Sequence, residues 1–70
     1  MTEQQLDATK RLAERFGSDL SNTTVLHDPH GLPDGWISTV VYKKGTPPAD
    51  TSSEHVLIVA GISPAGEVNS

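Results

Sequence analysis

The chain of 70 residues contains no cysteine. Without thiols it can form neither a disulfide nor a thiolate zinc site, so a core that is small at this length must stabilise the fold. The absence of cysteine favours an intracellular protein, and the polar start of the chain has no apolar signal core. We therefore expect a cytoplasmic protein made of a single domain, residues 1–70.

Basic residues and long apolar runs are also scarce. Lysine and arginine together number 5 against 9 aspartates and glutamates, which gives a formal net charge of −4. This charge repels the phosphates of nucleic acids and of anionic lipids. No apolar run approaches the about 20 residues that a membrane-spanning helix needs. We expect neither a nucleic acid polymer nor a membrane among the partners.

Catalytic motifs are missing as well. Segment 61–65, Gly-Ile-Ser-Pro-Ala, comes near the nucleophile-elbow pattern but has alanine at the second glycine position. The chain has no glycine-rich phosphate loop of either the P-loop or the dinucleotide type. Serine, histidine and aspartate occur, but a catalytic triad is defined by geometry and not by presence alone. We expect a protein without enzymatic activity and without a cofactor.

Two histidines offer a weak metal hypothesis. Asp28 lies between His27 and His30, and Asp34 follows shortly after. Imidazole and carboxylate groups are ligands for zinc and other divalent ions. The same stretch, residues 28–35, holds two prolines, two glycines and two aspartates, which is the composition of a turn. We expect no metal site and keep His27 and His30 as weak candidates only.

The best-marked element is an N-terminal helix. Thr2 and Gln5 have the spacing of a capping box, and Gly17 suits a left-handed helix end. An apolar stripe at helical spacing predicts the face that packs on the rest of the protein. The stripe consists of Leu6, Leu12, Ala13 and Phe16. Leu20 is expected to tuck under the end of the helix.

The remainder of the chain predicts an antiparallel sheet of three or four strands. Residues 23–27, 36–42, 55–62 and 67–70 have strand character, and a type I turn at 63–66 joins the last two. One helix followed by such strands predicts an α+β fold, with the helix packed on the sheet.

The strand at 55–62 is apolar on both faces. Alternation places Val56 and Ile58 on one face and Leu57 and Val59 on the other. A sheet with one wet face would show polar residues at every second position. Because a single helix can cover only one face, we expect a homo-oligomer with its interface at Val56, Leu57, Ile58 and Val59.

A ligand surface is predicted around the strand at 36–42. Trp36 can stack on a base or anchor a protein contact, and Tyr42 lies at the far end of the same strand. Lys43 and Lys44 follow and can neutralise a phosphate, while the proline-containing loop 43–54 closes over it. The alternative is that Trp36 caps the core and the lysines discourage edge aggregation.

Two function classes follow from these features. The first is a small non-enzymatic homo-oligomer that sequesters a small anionic ligand, such as a nucleotide, at its subunit interfaces. The second is a small adaptor or inhibitor, of the kind that phages use against host or defence proteins, which binds a target through its sheet face or edge. An enzyme that works across a subunit interface, with His27, His30 or His55 in its site, is a third and less favoured class.

Overall fold

The computed structural model describes residues 1–69 and contains one α-helix followed by four strands. The elements are α1 (Glu3–Arg15), β1 (Thr23–His27), β2 (Ile37–Tyr42), β3 (Val56–Ile62) and β4 (Val68–Asn69). The strands form one antiparallel sheet in the order β1-β2-β3-β4, and α1 packs on one face of it. This confirms the predicted α+β class. Within residues 1–69, no helix has the length and apolar character needed to cross a membrane.

The predicted strands are present with small shifts at their ends. β2 begins one residue later than predicted, and β3 begins at Val56 because a 3₁₀ turn occupies Ser53–His55. The last hairpin is closed by Gly66 N–H, which donates to Ser63 O at 2.8 Å, as the predicted type I turn requires. Of the predicted 67–70 strand, β4 contains Val68 and Asn69 but not Glu67, and Ser70 lies outside the described residues.

The predicted capping box begins α1. Gln5 N–H donates to Thr2 Oγ1 at 3.1 Å, and Thr2 N–H donates to Gln5 Oε1 at 2.9 Å. At the other end Gly17 has a φ of 75°, and Ser18 N–H donates to Ala13 O at 2.9 Å. Glycine adopts this left-handed conformation without steric cost, which is why the helix stops where the sequence predicts.

The predicted apolar stripe of α1 is partly wrong. Leu6 is 47% exposed and Phe16 is 41% exposed, and Leu20 is exposed rather than tucked under the helix. The buried face consists of Gln5, Ala8, Thr9, Leu12 and Ala13. Polar residues are tolerated there because they are hydrogen-bonded: Thr9 Oγ1, for example, donates to Gln5 O at 2.8 Å.

Two apolar clusters join α1 to the sheet. The first combines Leu12 and Ala13 with Val41 and Ala60, and the second combines Ala8 with Ile37 and Ile62. The sheet side of both clusters comes from β2 and β3. Burial of these side chains, at about 25 cal/mol per Å² of apolar surface, is the main source of stability.

Two polar side chains, Gln5 near the start of α1 and Ser18 just after its end, attach the helix to the sheet through three hydrogen bonds. Gln5 Nε2 donates to Gly35 O at 2.7 Å and to Ile62 O at 3.3 Å, where β2 begins and β3 ends. Ser18 Oγ donates to Tyr42 O at 2.6 Å, where β2 ends. The helix therefore runs in the same direction as β2 and lies over β2 and β3.

A β-bulge interrupts the pairing of β2 with β3. Val41 pairs with Ile58, whereas Tyr42 pairs with Val56, so Leu57 is the additional residue on β3. Leu57 and Ile58 both pack against the cluster that contains Leu12. Strict alternation, which separates Leu57 and Ile58 onto opposite faces, therefore does not hold at this point.

Candidate functional site

The face of the sheet that points away from α1 is the first candidate surface. We call it the outer face, and its members follow from the strand register. They are Thr24, Leu26, Ser38, Val40, Tyr42, Val56, Val59, Gly61 and Asn69. Leu26 is 58% exposed and Val59 is 54% exposed. Among the described strand positions of this face, none carries a charge.

The bulge changes which residues of the predicted interface reach this face. Val59 lies on it, and Val56 joins it because Val56 pairs with Tyr42. Leu57 and Ile58 pack toward α1 instead. Of the four residues predicted as an interface, the structure thus places two on the outer face and two in the core between helix and sheet.

Trp36 lies at one end of the outer face. A Cβ atom added to Gly61 would lie 3.1 Å from Leu32 Cδ1 and 3.5 Å from Trp36 Cε3, so Leu32 and Trp36 cover Gly61. Trp36 also lines a shallow pocket of about 130 Å³ whose charged members are Asp28 and Asp34. Both charges are negative, so the pocket beside Trp36 in a single chain does not attract an anion.

Tyr42, Lys43 and Lys44 lie at the opposite end of β2. The seven residues from Trp36 to Tyr42 span about 20 Å of extended strand. Lys43 and Lys44 are exposed and lie at a turn, and the described part of the chain provides no ion pair for either. The four predicted ligand residues therefore form two separate groups, one at each end of β2.

Loop 43–54 folds back beside Tyr42. The side chain of Asn22 holds the loop: Nδ2 donates to Thr46 O at 2.8 Å, and Oδ1 accepts from Gly45 N–H at 3.1 Å. The loop and residues 21–24 enclose a polar pocket of about 220 Å³. Its one charged lining residue is Asp50, whose Oδ2 lies 3.0 Å from His55 Nε2.

No protein-family model matches this chain, and searches of curated proteins and of solved structures find no match either. The function therefore has to be argued from the geometry of the chain itself.

The predicted metal candidates do not come together with further ligands. His27 ends β1, His30 lies in the following turn, and both are exposed. Within the described residues, no three His, Cys, Asp or Glu side chains are placed to hold a metal ion.

The structure also contains a groove that the sequence did not reveal. It has a volume of about 340 Å³ and lies between α1 and the β3-β4 hairpin. Arg11 and Arg15 line one wall, and Leu12 and Val68 line the apolar part. Arg11 is paired with Asp7, with 3.0 Å between Nε and Oδ2. Asp7, Arg11 and Arg15 are spaced four residues apart, so the sequence indicates that they share one side of α1. Only the tertiary structure shows that the β3-β4 hairpin lies opposite this side.

Proposed function

We propose that this chain is a non-enzymatic binding protein that works as a homo-oligomer, built on a twofold pair whose outer faces pack together. The observation that carries the proposal is the outer face itself, which is apolar at its centre and exposed at Leu26 and Val59. Exposed apolar surface of this kind marks interaction sites in proteins.

Charge and size support a second copy as the partner. Two chains with a net charge of −4 repel each other, so they associate best through a surface without charges. The described strand positions of the outer face meet this condition. The protein measures 30 × 22 × 17 Å, and its broad side is comparable to the about 800 Å² that each partner contributes to a standard interface.

The proposed ligand is a small anion, with a nucleotide as the leading candidate, held where the two copies meet. The twofold axis runs between the two packed sheets and is perpendicular to the strands. It places the Trp36 end of one copy against the end of the other copy that carries Lys43 and Lys44. The indole then stacks on a base, and the two ammonium groups neutralise a phosphate. This arrangement supplies the positive charge that the surroundings of Trp36 lack in a single chain.

Charge insertion at the centre of the outer face tests the assembly. We expect Val59→Lys to raise the dissociation constant of the oligomer at least about 30-fold, because each copy would bury an unpaired ammonium group. The monomer should stay folded, since Val59 is already half exposed.

Native mass spectrometry over a concentration series gives the subunit count. Leu6→Lys, at a leucine of α1 that is 47% exposed, is the matched control and should leave the oligomer intact. A wild-type protein that stays monomeric at high concentration would contradict the proposal.

The ligand is tested on protein purified directly from cells. Native mass spectrometry should show an oligomer with a stoichiometric added mass. Trp36→Ala should weaken binding of that molecule by about 1–3 kcal/mol if a base stacks on the indole. Trp36→Phe keeps an aromatic ring over Gly61 and should retain most of the binding. An oligomer without added mass, or equal affinity in Trp36→Ala, would contradict the ligand part and leave the assembly part standing.

A second candidate function is a small adaptor or inhibitor that binds a target protein through its sheet face or edge. The five-residue edge strand β1, which has a strand neighbour on one side only, favours this candidate. It would be supported if self-association gives way to a complex with another protein and no small molecule is retained.

A further inference from the structure

β1 leaves one of its two edges open. It pairs with β2 in regular register over all five residues, and no strand among the described residues lies along its other side. Natural proteins usually protect such an edge with lysine, proline, a bulge or a very short strand. The sequence Thr-Thr-Val-Leu-His has none of these features, whereas β4, at the opposite edge of the sheet, spans only two of the described residues. The open edge of β1 is therefore the unprotected edge of this sheet.

One hydrogen bond between the chain end of β2 and the start of β3 shows which backbone groups of β2 point to β3 and which point to β1. Lys43 N–H donates to His55 O at 2.8 Å, directly after the last residue of β2. Backbone groups along an antiparallel strand alternate between its two neighbours. The odd-numbered residues of β2 therefore bond β3, and the even-numbered residues, such as Ser38 and Val40, bond β1.

The same alternation decides which groups of β1 remain open. Leu26 pairs with Ser38 and Thr24 pairs with Val40, so these two residues of β1 bond β2. Thr23, Val25 and His27 direct their N–H and C=O groups to the open edge. Thr23 N–H already donates to Leu20 O, which leaves two open donors, at Val25 and His27, and three open acceptors.

We propose that the open edge of β1 pairs with the same edge of a second copy, antiparallel and centred on Val25, so that two four-stranded sheets join into one eight-stranded sheet. The open residues are symmetric about this centre, because Thr23 and His27 each lie two residues from Val25. Val25 exchanges two hydrogen bonds with its own copy in the partner. His27 N–H of each chain donates to Thr23 O of the other, which adds one bond at each end.

A second copy suits this edge better than an unrelated strand. In an antiparallel twofold pair centred on Val25, each open N–H of one chain meets an open C=O of the other, and the His27 C=O groups alone receive no backbone donor from the partner. The strand carries no aspartate, glutamate, lysine or arginine, so two acidic chains can approach along it. Asp28 follows with a φ of 54°, which turns the chain away from the strand direction directly after His27.

The edge contact does not depend on the outer-face contact. It uses backbone groups in the plane of the sheet, whereas the outer face packs perpendicular to that plane. Where both contacts form, the assembly contains four copies, two eight-stranded sheets packed face to face with the α1 helices on the outside.

Amide hydrogen exchange followed by NMR tests the pairing without any substitution. In the oligomer, the Val25 and His27 amides should exchange at least about 10-fold more slowly than at a dilution where the monomer predominates. The Thr24 and Leu26 amides bond β2 and should stay protected under both conditions, so they are internal controls. Fast exchange of Val25 and His27 at concentrations where the protein is oligomeric overturns the proposal.

Substitution separates this contact from the outer-face contact. Val25→Pro removes a donor that β2 does not use, and proline is tolerated on an edge strand when its N–H would face outward. His27→Pro, at an exposed strand end, is the second variant in case the first fails to fold.

The edge proposal expects both proline variants to halve the subunit count. In Val59→Lys, by contrast, the edge pair should stay intact, and the Val25 and His27 amides should remain protected from exchange. An oligomer that both folded proline variants leave unchanged overturns the edge contact, as does a wild-type chain that is monomeric throughout.

Discussion

Replacing Gln5 with leucine is expected to destabilise the protein by about 3 kcal/mol, although leucine is the more apolar side chain. Gln5 is 1% exposed, and its amide group satisfies Thr2 N–H, Gly35 O and Ile62 O. A hydrogen bond contributes about 0.5–1.5 kcal/mol to stability, and leucine would remove three bonds, one of them buried and two partly buried. A chain of this length has a stability of only about 3–10 kcal/mol, so Gln5→Leu should bring the protein close to unfolding.

Urea denaturation followed by circular dichroism measures this loss. Gln4→Leu is the matched control, because Gln4 is the preceding residue of α1 and is exposed. We expect its free energy of unfolding to change by less than about 0.5 kcal/mol. Equal stability of Gln5→Leu and wild type would show that hydrophobic burial alone holds α1 on the sheet.

Replacing Gly66 with alanine is expected to cost about 3 kcal/mol. Gly66 has a φ of 87°, a conformation that is strained for any residue with a Cβ atom. In addition, a Cβ at this position would lie 2.9 Å from the carbonyl oxygen of Gln4. That oxygen belongs to the backbone of α1, so relief of the clash requires a shift of the helix or the hairpin.

Gly45→Ala separates the two contributions. Gly45 has the same φ of 87°, but a Cβ there would meet no atom within 4 Å. We expect Gly45→Ala to cost about 1 kcal/mol for the backbone conformation alone. Thermal unfolding of both variants gives the comparison, at about 4–8 °C per kcal/mol for a domain of this size. A similar loss in both would mean that the hairpin and α1 move apart without cost.

The local elements were predictable because short-range chemistry specifies them. The capping box of Thr2 and Gln5, the left-handed Gly17 and the Ser63 to Gly66 turn each involve residues within a few positions of one another. Such contacts are determined by residue type and spacing. The order of one helix followed by antiparallel strands then leaves few alternatives to the α+β fold.

The buried face of α1 was predicted less well, for a reason that lies outside the helix. Which face of α1 is buried depends on Gln5, and a hydrophobic pattern treats glutamine as a surface residue. Gln5 is buried because Gly35 O and Ile62 O, some thirty and sixty residues further along the chain, accept from its side chain. Leu6 and Phe16 are exposed as a consequence of the orientation that this contact helps to set.

In the candidate site, too, the sequence predicted individual residues but not the long-range pairings that arrange them. The sequence singled out Val59 and Trp36, and the structure places Val59 on the outer face and Trp36 at its end. The sequence could not show the bulge at Leu57, since a bulge depends on how β3 pairs with β2. It also could not show that Trp36 is separated from Lys43 and Lys44 by the length of β2, which makes a second copy necessary for the proposed ligand site.

The sequence by itself determined the elements, their order and the presence of apolar residues on both faces of β3, because periodicity and turn chemistry act over a few residues. Only the tertiary structure decided which of these residues remain exposed. The helix contacts, the bulge and the strand register are long-range pairings, and they place Leu57 and Ile58 inside and leave Val59 and the open edge of β1 outside. Exposure is a property of what packs against a residue, and residue type alone does not determine it.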